Sequence, residues 1–144
     1  VKAYIEKFFF EVYLNKVYLV VAMRQLFNLW KIGLKKGLLG VFILLLLREK
    51  PMHGFELAKE IERVTDGMLK VKPKVLYPIL QRMVLFHLVE RVRERSPVGP
   101  PRYIYKLTRD GELFLREVIL YYTPIVRALI KLARQTARAP EESE

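Results

Sequence analysis

Three lysines surround Pro73 in the middle of the chain, at positions 70, 72 and 74. Ammonium groups pair with phosphate oxygens, while glutamine can form two hydrogen bonds with adenine and arginine two with guanine. Side chains of these kinds follow the proline within a few residues, so this segment is predicted to bind a nucleic acid. The residues assigned to that contact are Lys70, Lys72, Lys74, Tyr77, Gln81 and Arg82.

A second group of basic side chains lies in a segment with the alternation of a β-strand. Arginines occupy positions 91, 93 and 95, with acidic or apolar residues between them. Such alternation places the three guanidinium groups on one face of a strand. The chain then turns through a proline-rich loop and returns. Arg93 and Arg95 are expected to contact phosphates, with ion pairs to Glu90, Glu94 or the return strand as the alternative. Arg102 on the return strand is also assigned to the DNA contact.

The net charge supports a polyanionic partner. The 144 residues include 26 Lys and Arg against 15 Asp and Glu, a formal charge of +11, and the isoelectric point is near 9.9. Residues 34–109 hold sixteen basic and seven acidic side chains, whereas residues 110–144 hold five and six. A positive field of this kind attracts nucleic acid or an anionic membrane surface. The partner is therefore expected at the middle of the chain.

A membrane is the weaker of these two alternatives. The longest apolar run without a charge is Leu38–Leu47, whereas a spanning helix needs about 20 residues. No small-residue cleavage pattern follows a basic start, so a secretory signal is not expected. The absence of cysteine agrees with a reducing compartment. We expect a cytoplasmic protein that binds double-stranded DNA and no membrane.

Catalytic and metal-binding chemistry has little support. The chain has no cysteine, and its two histidines, His53 and His87, do not share an HExxH spacing. The only serines are Ser96 and Ser143, and no glycine-rich phosphate loop is present. His53 is expected to stabilise the turn before a helix, and His87 to lie at the end of one. We predict a protein that is not an enzyme, uses no cofactor and holds no metal.

The spacing of the hydrophobic residues and the positions of glycine and proline predict the helices that position the basic residues. A buried helix is predicted through Leu38–Leu47 and a short amphipathic helix from Phe55 to Val64, with Gly67 as its stop. The next helix begins at Pro73, where a missing N–H has no intrahelical partner, and runs to about Phe86.

Two strands follow, over 89–95 and 102–107, and Thr108 is a good N-cap for the last helix. Three helices, a two-stranded ribbon and a long apolar helix predict a mainly α fold with a small β-wing. This is a winged helix-turn-helix, in which Pro73–Phe86 enters the major groove and the ribbon reaches the neighbouring backbone. Which side chains of that helix face the groove depends on its rotation.

The last helix carries two adjacent apolar stripes at heptad spacing, which start at Phe114 and Leu115. A helix that packs on one neighbour needs only one stripe, so the second predicts contact with another subunit. Pro124 is expected to kink this helix or to restart it after Thr123. The residues assigned to a homodimer interface are Phe114, Val118, Tyr121, Ile125, Leu129 and Leu132.

The first 33 residues are ambiguous. Phe8–Leu14 and Val17–Met23 are rich in aromatic and β-branched residues, which suits a hairpin, yet their apolar side chains also approach helical spacing, which we favour. Trp30 is expected to be a core or interface tryptophan, and stacking of a planar effector is the alternative. The expected organisation is an N-terminal extension at 1–33, a DNA-binding domain at 34–107, a dimerisation helix at 108–138 and a flexible tail at 139–144.

Three motifs between Lys35 and Gly111 resemble those of PadR-type transcriptional regulators. They are Pro-Met-His-Gly-Phe-Glu-Leu at 51–57, Leu-Tyr-Pro-Ile-Leu at 76–80, and Gly-Pro-Pro-Arg-Tyr-Ile-Tyr-Lys-Leu-Thr at 99–108. The resemblance implies a dimeric DNA-binding repressor whose C-terminal helix dimerises, and which in some members responds to a small aromatic effector. It also implies that Tyr77 contacts the DNA backbone and that Arg102, with Gly99–Pro101, belongs to the wing.

The sequence departs from that family pattern at several positions. Lys72 stands where Ser or Thr often precedes the proline, His87 where a glycine commonly ends the helix, and Val84 and Leu85 where charges are usual. The operator sequence therefore does not transfer from the family. The function expected is a homodimeric, sequence-specific repressor relieved by a small aromatic effector. The alternatives are a non-specific architectural DNA-binding protein and an adaptor that uses the apolar N-terminal segment at a membrane.

Overall fold

The structure, a computed structural model, describes residues 1–95 and 98–138. The chain divides into two compact units, Val1–Leu38 and Leu39–Glu144. Ser96 and Pro97 of the predicted loop and the predicted tail at 139–144 lie outside the described residues. The elements are α1 (Lys2–Glu49), β1 (Met52–His53), α2 (Gly54–Val64), α3 (Pro73–Leu85), β2 (Val89–Glu94), β3 (Arg102–Leu107) and α4 (Arg109–Arg138).

The first unit is the N-terminal part of α1. The two segments considered for a hairpin both lie in this helix, and the expected domain boundary after residue 33 falls inside it. No proline or glycine interrupts the chain before Gly33, so a helix that has started there meets no breaker. Its side chains are almost all exposed. Among residues 1–95 and 98–138, none of the helices combines the length and hydropathy that a membrane crossing requires.

The second unit has one hydrophobic core to which every one of its elements contributes. The end of α1 brings side chains at helical spacing, and α2 and α3 each add one buried face, while the strands and α4 close the core. This arrangement confirms the predicted mainly helical fold with a small sheet. The buried residues include Leu39, Ile43, Leu44, Leu47, Met52, Leu57, Ala58, Ile61, Leu76, Leu80, Met83, Val89, Tyr105 and Leu115.

The sheet has three antiparallel strands in the order β1-β3-β2, whereas the sequence predicted a two-stranded ribbon. The additional strand is Met52–His53, which pairs with Ile104 and Tyr105 of β3. Two residues are too few to show an alternation of polar and apolar side chains. The longer pair agrees with the prediction: Val89 faces Leu107 and Glu94 faces Arg102.

The helices α2 and α3 end in the same hydrogen-bond pattern. After α3, the N–H of His87 donates to the carbonyl of Val84 and that of Leu88 to the carbonyl of Met83, with His87 at φ 60°. This is a Schellman motif, which satisfies the last helical carbonyls and favours glycine at the left-handed position. After α2, Asp66 occupies that position at φ 51° and Gly67 follows at φ 77°.

The start of α4 is bonded to the turn after α3. The Thr108 hydroxyl donates to the carbonyl of His87 at 2.6 Å and accepts from the N–H of Gly111 at 2.9 Å. A Cβ at Gly111 would overlap the carbonyl oxygen of Leu88, so only glycine allows this close approach. The predicted restart after Thr123 is wrong, because α4 continues through Pro124. Pro124 has no N–H to donate to the carbonyl of Leu120, which is an exposed residue.

Candidate nucleic-acid interface

The rotation of α3 follows from its buried residues. The buried side chains of α3 are Leu76, Leu80 and Met83. The opposite side of the helix therefore faces outward, and it carries a row of residues that are three or four positions apart in the sequence. Arg82 and Val75 border this row. The outward row consists of Lys74, Pro78, Gln81 and Leu85, all of which are exposed. The structure thus places a cation and a bidentate amide on the accessible surface of the helix.

Tyr77 lies on the other border of this row and rests on the start of α2. A Cβ added to Gly54 would be 2.8 Å from Cε1 of Tyr77, so the ring lies directly on the backbone of that glycine. The side chain nevertheless remains 43% exposed. Gly54 and Tyr77 belong to two of the motifs noted in the sequence. The contact explains why α2 begins with a residue without a side chain, beside a tyrosine that stays accessible.

The N-terminus of α3 is strongly positive. Lys72 is its N-cap residue and makes no side-chain capping bond, and the first turn contains no acidic residue. The helix dipole adds to the charge of the exposed Lys72 and Lys74. Lys70 is also exposed and lies just before this turn. An anion such as a phosphate would meet three cations and the positive end of a helix dipole here.

The arginines of the hairpin divide between its two faces. Arg91 and Arg93 lie on the face that also carries the buried Val89 and Tyr105, because strand residues alternate and paired residues share a face. Arg91 places its guanidinium 4.4 Å from the centre of the Tyr103 ring. Arg102 lies on the opposite face, across from Glu94. Arg95 is exposed just after β2.

Three titratable groups have shifted pKa values, namely Tyr105, Glu60 and Arg63. Burial raises the pKa of Tyr105, with the nearby cation of Arg91 opposing that effect, so the hydroxyl stays protonated at neutral pH. On α2, a hydrogen bond from Arg63 holds the pKa of Glu60 below its usual range. Glu60 therefore belongs to an ion-paired surface of α2. No cluster of three or more metal-binding side chains occurs among residues 1–95 and 98–138.

His53 connects all three strands, a role that the sequence did not reveal. Its Nδ1 is 3.1 Å from the carbonyl oxygen of Tyr103 on β3. Its Nε2 is 3.1 Å from Oε2 of Glu94 on β2 and 3.7 Å from Oε1 of Glu56 on α2. The side chain makes no capping hydrogen bond at the start of α2, so the expected stabilisation of that turn stays a prediction. No sequence signal marked the partners, because Tyr103 is 50 residues away.

The predicted dimer residues lie along α4. The stripe that starts at Leu115 packs on the core of its own unit through Leu115 and Ile119. The other stripe has no such cover: its side chains are exposed, apart from the half-buried Val118. Phe114, Tyr121, Ile125, Leu129 and Leu132 are all exposed. The proposed effector residue, Trp30, belongs to the first unit and is 68% exposed.

A helical core, an exposed second helix of a helix-turn-helix and a basic β-hairpin define a winged-helix protein of the DNA-binding type. Comparison of the sequence with models of known families gives the narrower assignment. The model of the "Transcriptional regulator PadR-like family" matches residues 43–117, just over half of the chain. The chain belongs to this family, whose members are transcriptional regulators and not enzymes.

Similar proteins agree with this assignment. A PadR family transcriptional regulator from Eggerthella lenta is 26% identical, with a TM-score of 0.66 over 78% of this chain and 96% of that one. A PadR-like regulator from Bacillus cereus is 28% identical, with a TM-score of 0.58 over 68% and 93%. An uncharacterized protein X from Lysinibacillus sphaericus is 30% identical over 84 residues, 58% of this chain and 77% of that protein.

One solved structure shows a PadR protein together with its ligand. It is Bacillus subtilis PadR in complex with operator DNA, which is 20% identical and has a TM-score of 0.52 over 57% of this chain and 46% of that one. At this identity the likeness concerns the fold. The three motifs, the family match and the similar structures therefore agree on one fold and one class of function.

Proposed function

We propose that the protein is a homodimer that binds an inverted-repeat operator in double-stranded DNA and represses transcription from it in the cytoplasm. The observation that carries this proposal is the orientation of α3. Its apolar face is buried, so Lys74 and Gln81 point outward beside the positive N-terminus of the same helix. A single helix of this width fits the major groove of B-DNA. The operator complex of Bacillus subtilis PadR supports the choice of ligand.

The proposed binding uses two kinds of contact, those to the phosphate backbone and those to the bases. Lys70, Lys72 and Lys74 neutralise phosphates at the start of α3, and the hydroxyl of Tyr77 donates a hydrogen bond to the backbone. Gln81 reads a base edge, with adenine as its preferred partner, and Arg82 pairs with guanine or phosphate. The wing adds phosphate contacts from the hairpin, on both of its faces. Its contributing residues are Arg93, Arg95 and Arg102.

Dimerisation sets the spacing of the two half-sites. The uncovered stripe of α4 would bury its apolar side chains against the same stripe of a second copy, as an isologous interface requires. A two-fold dimer then places its two α3 helices in successive major grooves, about 34 Å apart. Repression follows if the occupied operator overlaps a promoter. Trp30 offers its exposed indole to a planar aromatic effector that would relieve repression.

A specific observation keeps an architectural role as the second candidate. The outward row of α3 carries one amide that can recognise a base, Gln81. Most of the other polar side chains of the proposed DNA-binding surface are cations, which suit phosphate. Contacts to phosphate carry no sequence information directly. A protein that relied on them alone would bind any duplex with similar affinity.

The decisive experiment selects genomic DNA fragments with the purified full-length protein and then compares the affinity for the enriched sequence with that for random duplex. We expect enrichment of an inverted repeat and an affinity at least about a thousandfold higher than for random DNA. A ratio near one supports the architectural role. Failure to retain any duplex at low salt contradicts DNA binding itself. With about 6–10 phosphate contacts, affinity should fall by about 10³–10⁵ between 50 and 200 mM salt.

A further inference from the structure

We propose that His53 positions the wing in its imidazolium form, so that DNA binding strengthens when this one side chain takes up a proton. The inference rests on the DNA-binding function proposed above. It assigns a role to a residue that touches no DNA in that proposal and that acts through the hairpin.

The two ring nitrogens of His53 both face hydrogen-bond acceptors. Nδ1 lies 3.1 Å from the carbonyl oxygen of Tyr103, and Nε2 lies 3.1 Å from a carboxylate oxygen of Glu94. Glu56 adds a second carboxylate oxygen 3.7 Å from Nε2. A neutral imidazole has one donor and one acceptor, so it can satisfy only one side of this arrangement. The imidazolium donates from both nitrogens and neutralises part of the acidic charge.

The position of the bridge explains why it matters for the wing. His53 lies on β1, Tyr103 on the central β3, and Glu94 is the last residue of β2 before the hairpin loop. The bridge therefore fixes the end of β2 across the whole sheet, one residue before Arg95. Without the proton, one ring nitrogen presents a lone pair to an acceptor, either Nδ1 to the carbonyl of Tyr103 or Nε2 to the carboxylate of Glu94, so one of the two contacts is lost and the bridge is broken.

The charges around His53 predict the same effect on DNA binding as the geometry of its hydrogen bonds. Glu94 pairs across the strands with Arg102, a proposed phosphate contact. An uncompensated carboxylate beside that arginine repels the DNA backbone and competes with phosphate for the guanidinium. Protonation of His53 places a cation 3.1 Å from Glu94 and leaves Arg102 available to phosphate.

The other charged groups around the ring define what else can respond to pH. On the face of the sheet that carries His53, β2 contributes Glu90 and Glu94 and β3 contributes Arg102 and Lys106, while α2 contributes Glu56. Carboxyl, guanidinium and ammonium groups ordinarily titrate outside the interval from about pH 5 to about pH 8, whereas histidine titrates inside it. Histidine is therefore the residue type at this site that can carry a pH dependence within that interval.

The test measures the affinity of the full-length protein for its selected duplex from about pH 5.5 to about pH 8, at constant ionic strength. We expect affinity to fall about fivefold to tenfold as pH rises, because the lost interaction is a charge-assisted bridge between partly exposed groups. His53→Gln should bind with the weaker affinity of the high-pH protein at every pH. Glu94→Gln, which removes the carboxylate but keeps its shape, should also abolish the pH dependence.

The chain offers a matched control, because His87 is its only other histidine. His87→Asn should keep the full pH dependence. The inference is overturned if the wild-type affinity does not change with pH, or if His53→Gln and Glu94→Gln keep the wild-type slope. If His53→Gln does not fold, as judged by its thermal transition, the Glu94→Gln profile decides. Absence of binding to any duplex at any pH contradicts the proposed function instead, so the two failures are distinguishable.

Discussion

The helices α3 and α4 are built on the same plan but expose opposite chemistry. Each has one face buried in the core of the second unit, through Leu76 and Leu80 in α3 and through Leu115 in α4. The other face of α3 carries Lys74 and Gln81, whereas that of α4 is an apolar stripe at heptad spacing. A buried face anchors a helix, and the exposed face selects its partner. The comparison therefore predicts a polyanion on α3 and a second copy of the chain on α4.

The largest effect is expected from a charge in the uncovered stripe of α4. Ile125→Glu buries a carboxylate in an apolar interface, which is costly unless the charge is paired, so the dimer should dissociate. Operator affinity should then fall about a thousandfold, towards non-specific binding. Analytical ultracentrifugation and mobility shift with the selected duplex measure both quantities.

A matched variant tests whether the dimer is lost because the charge lies in the stripe, or merely because an apolar side chain has been removed from α4. Leu120 is 76% exposed, more than Ile125 at 54%, but lies on the side of α4 away from both stripes. Leu120→Glu should remain dimeric and keep its affinity. A dimer that survives Ile125→Glu would place the interface elsewhere.

The next largest effect is a loss of stability, and it is expected at the junction between the turn after α3 and the start of α4. Gly111→Ala forces a Cβ against the carbonyl oxygen of Leu88, the residue that follows the turn after α3. Overpacking of this kind should lower the free energy of unfolding by about 3 kcal/mol. Denaturant titration of the variant measures the change.

Gly37→Ala is the control for that substitution. Gly37 is also helical, but a Cβ there would meet no atom within 4 Å. Alanine should therefore raise helix stability by about 1 kcal/mol. Equal losses in the two variants would show that the contact at Leu88 is not the cause.

Substitution of Gln81 should change specificity more than affinity. Gln81→Ala removes a side chain of the outward row of α3, so discrimination at one base pair should drop by about 1–3 kcal/mol. Repeating the fragment selection with the variant measures this as a relaxed preference at one position of the motif. Gln135→Ala, on the exposed end of α4, should leave the motif unchanged. An unaltered motif with Gln81→Ala would mean that this side chain does not reach a base.

The smallest effect is expected at the end of α3. His87 has φ 60°, a backbone conformation that glycine adopts without strain. His87→Gly should therefore raise the free energy of unfolding by about 0.5–1 kcal/mol, whereas His87→Ala should not. Thermal unfolding compares the two variants. Equal stability of both would mean that the left-handed backbone carries no strain for histidine.

The sequence predicted most of the second unit because its signals are local. Pro73 gives the start of α3, the alternation from Val89 gives β2, and Thr108 gives the cap of α4. The same apolar spacing also fixes the rotation of α3 once the core is known. Long-range contacts leave no such signal: the strand at Met52–His53 and the bridge of His53 to Glu94 depend on residues far away in the chain. The first unit was ambiguous because its apolar side chains occur on all sides.

The most direct test of the contrast between α3 and α4 is the salt dependence of operator binding in two lysine variants. Lys74→Ala, in the outward row of α3, should reduce the slope of log affinity against log salt by about one, because one phosphate contact is lost. Lys131→Ala, on the exposed surface of α4, should leave that slope at the wild-type value. An unchanged slope in Lys74→Ala, or an equal reduction in both, would contradict the assignment of α3 to the DNA.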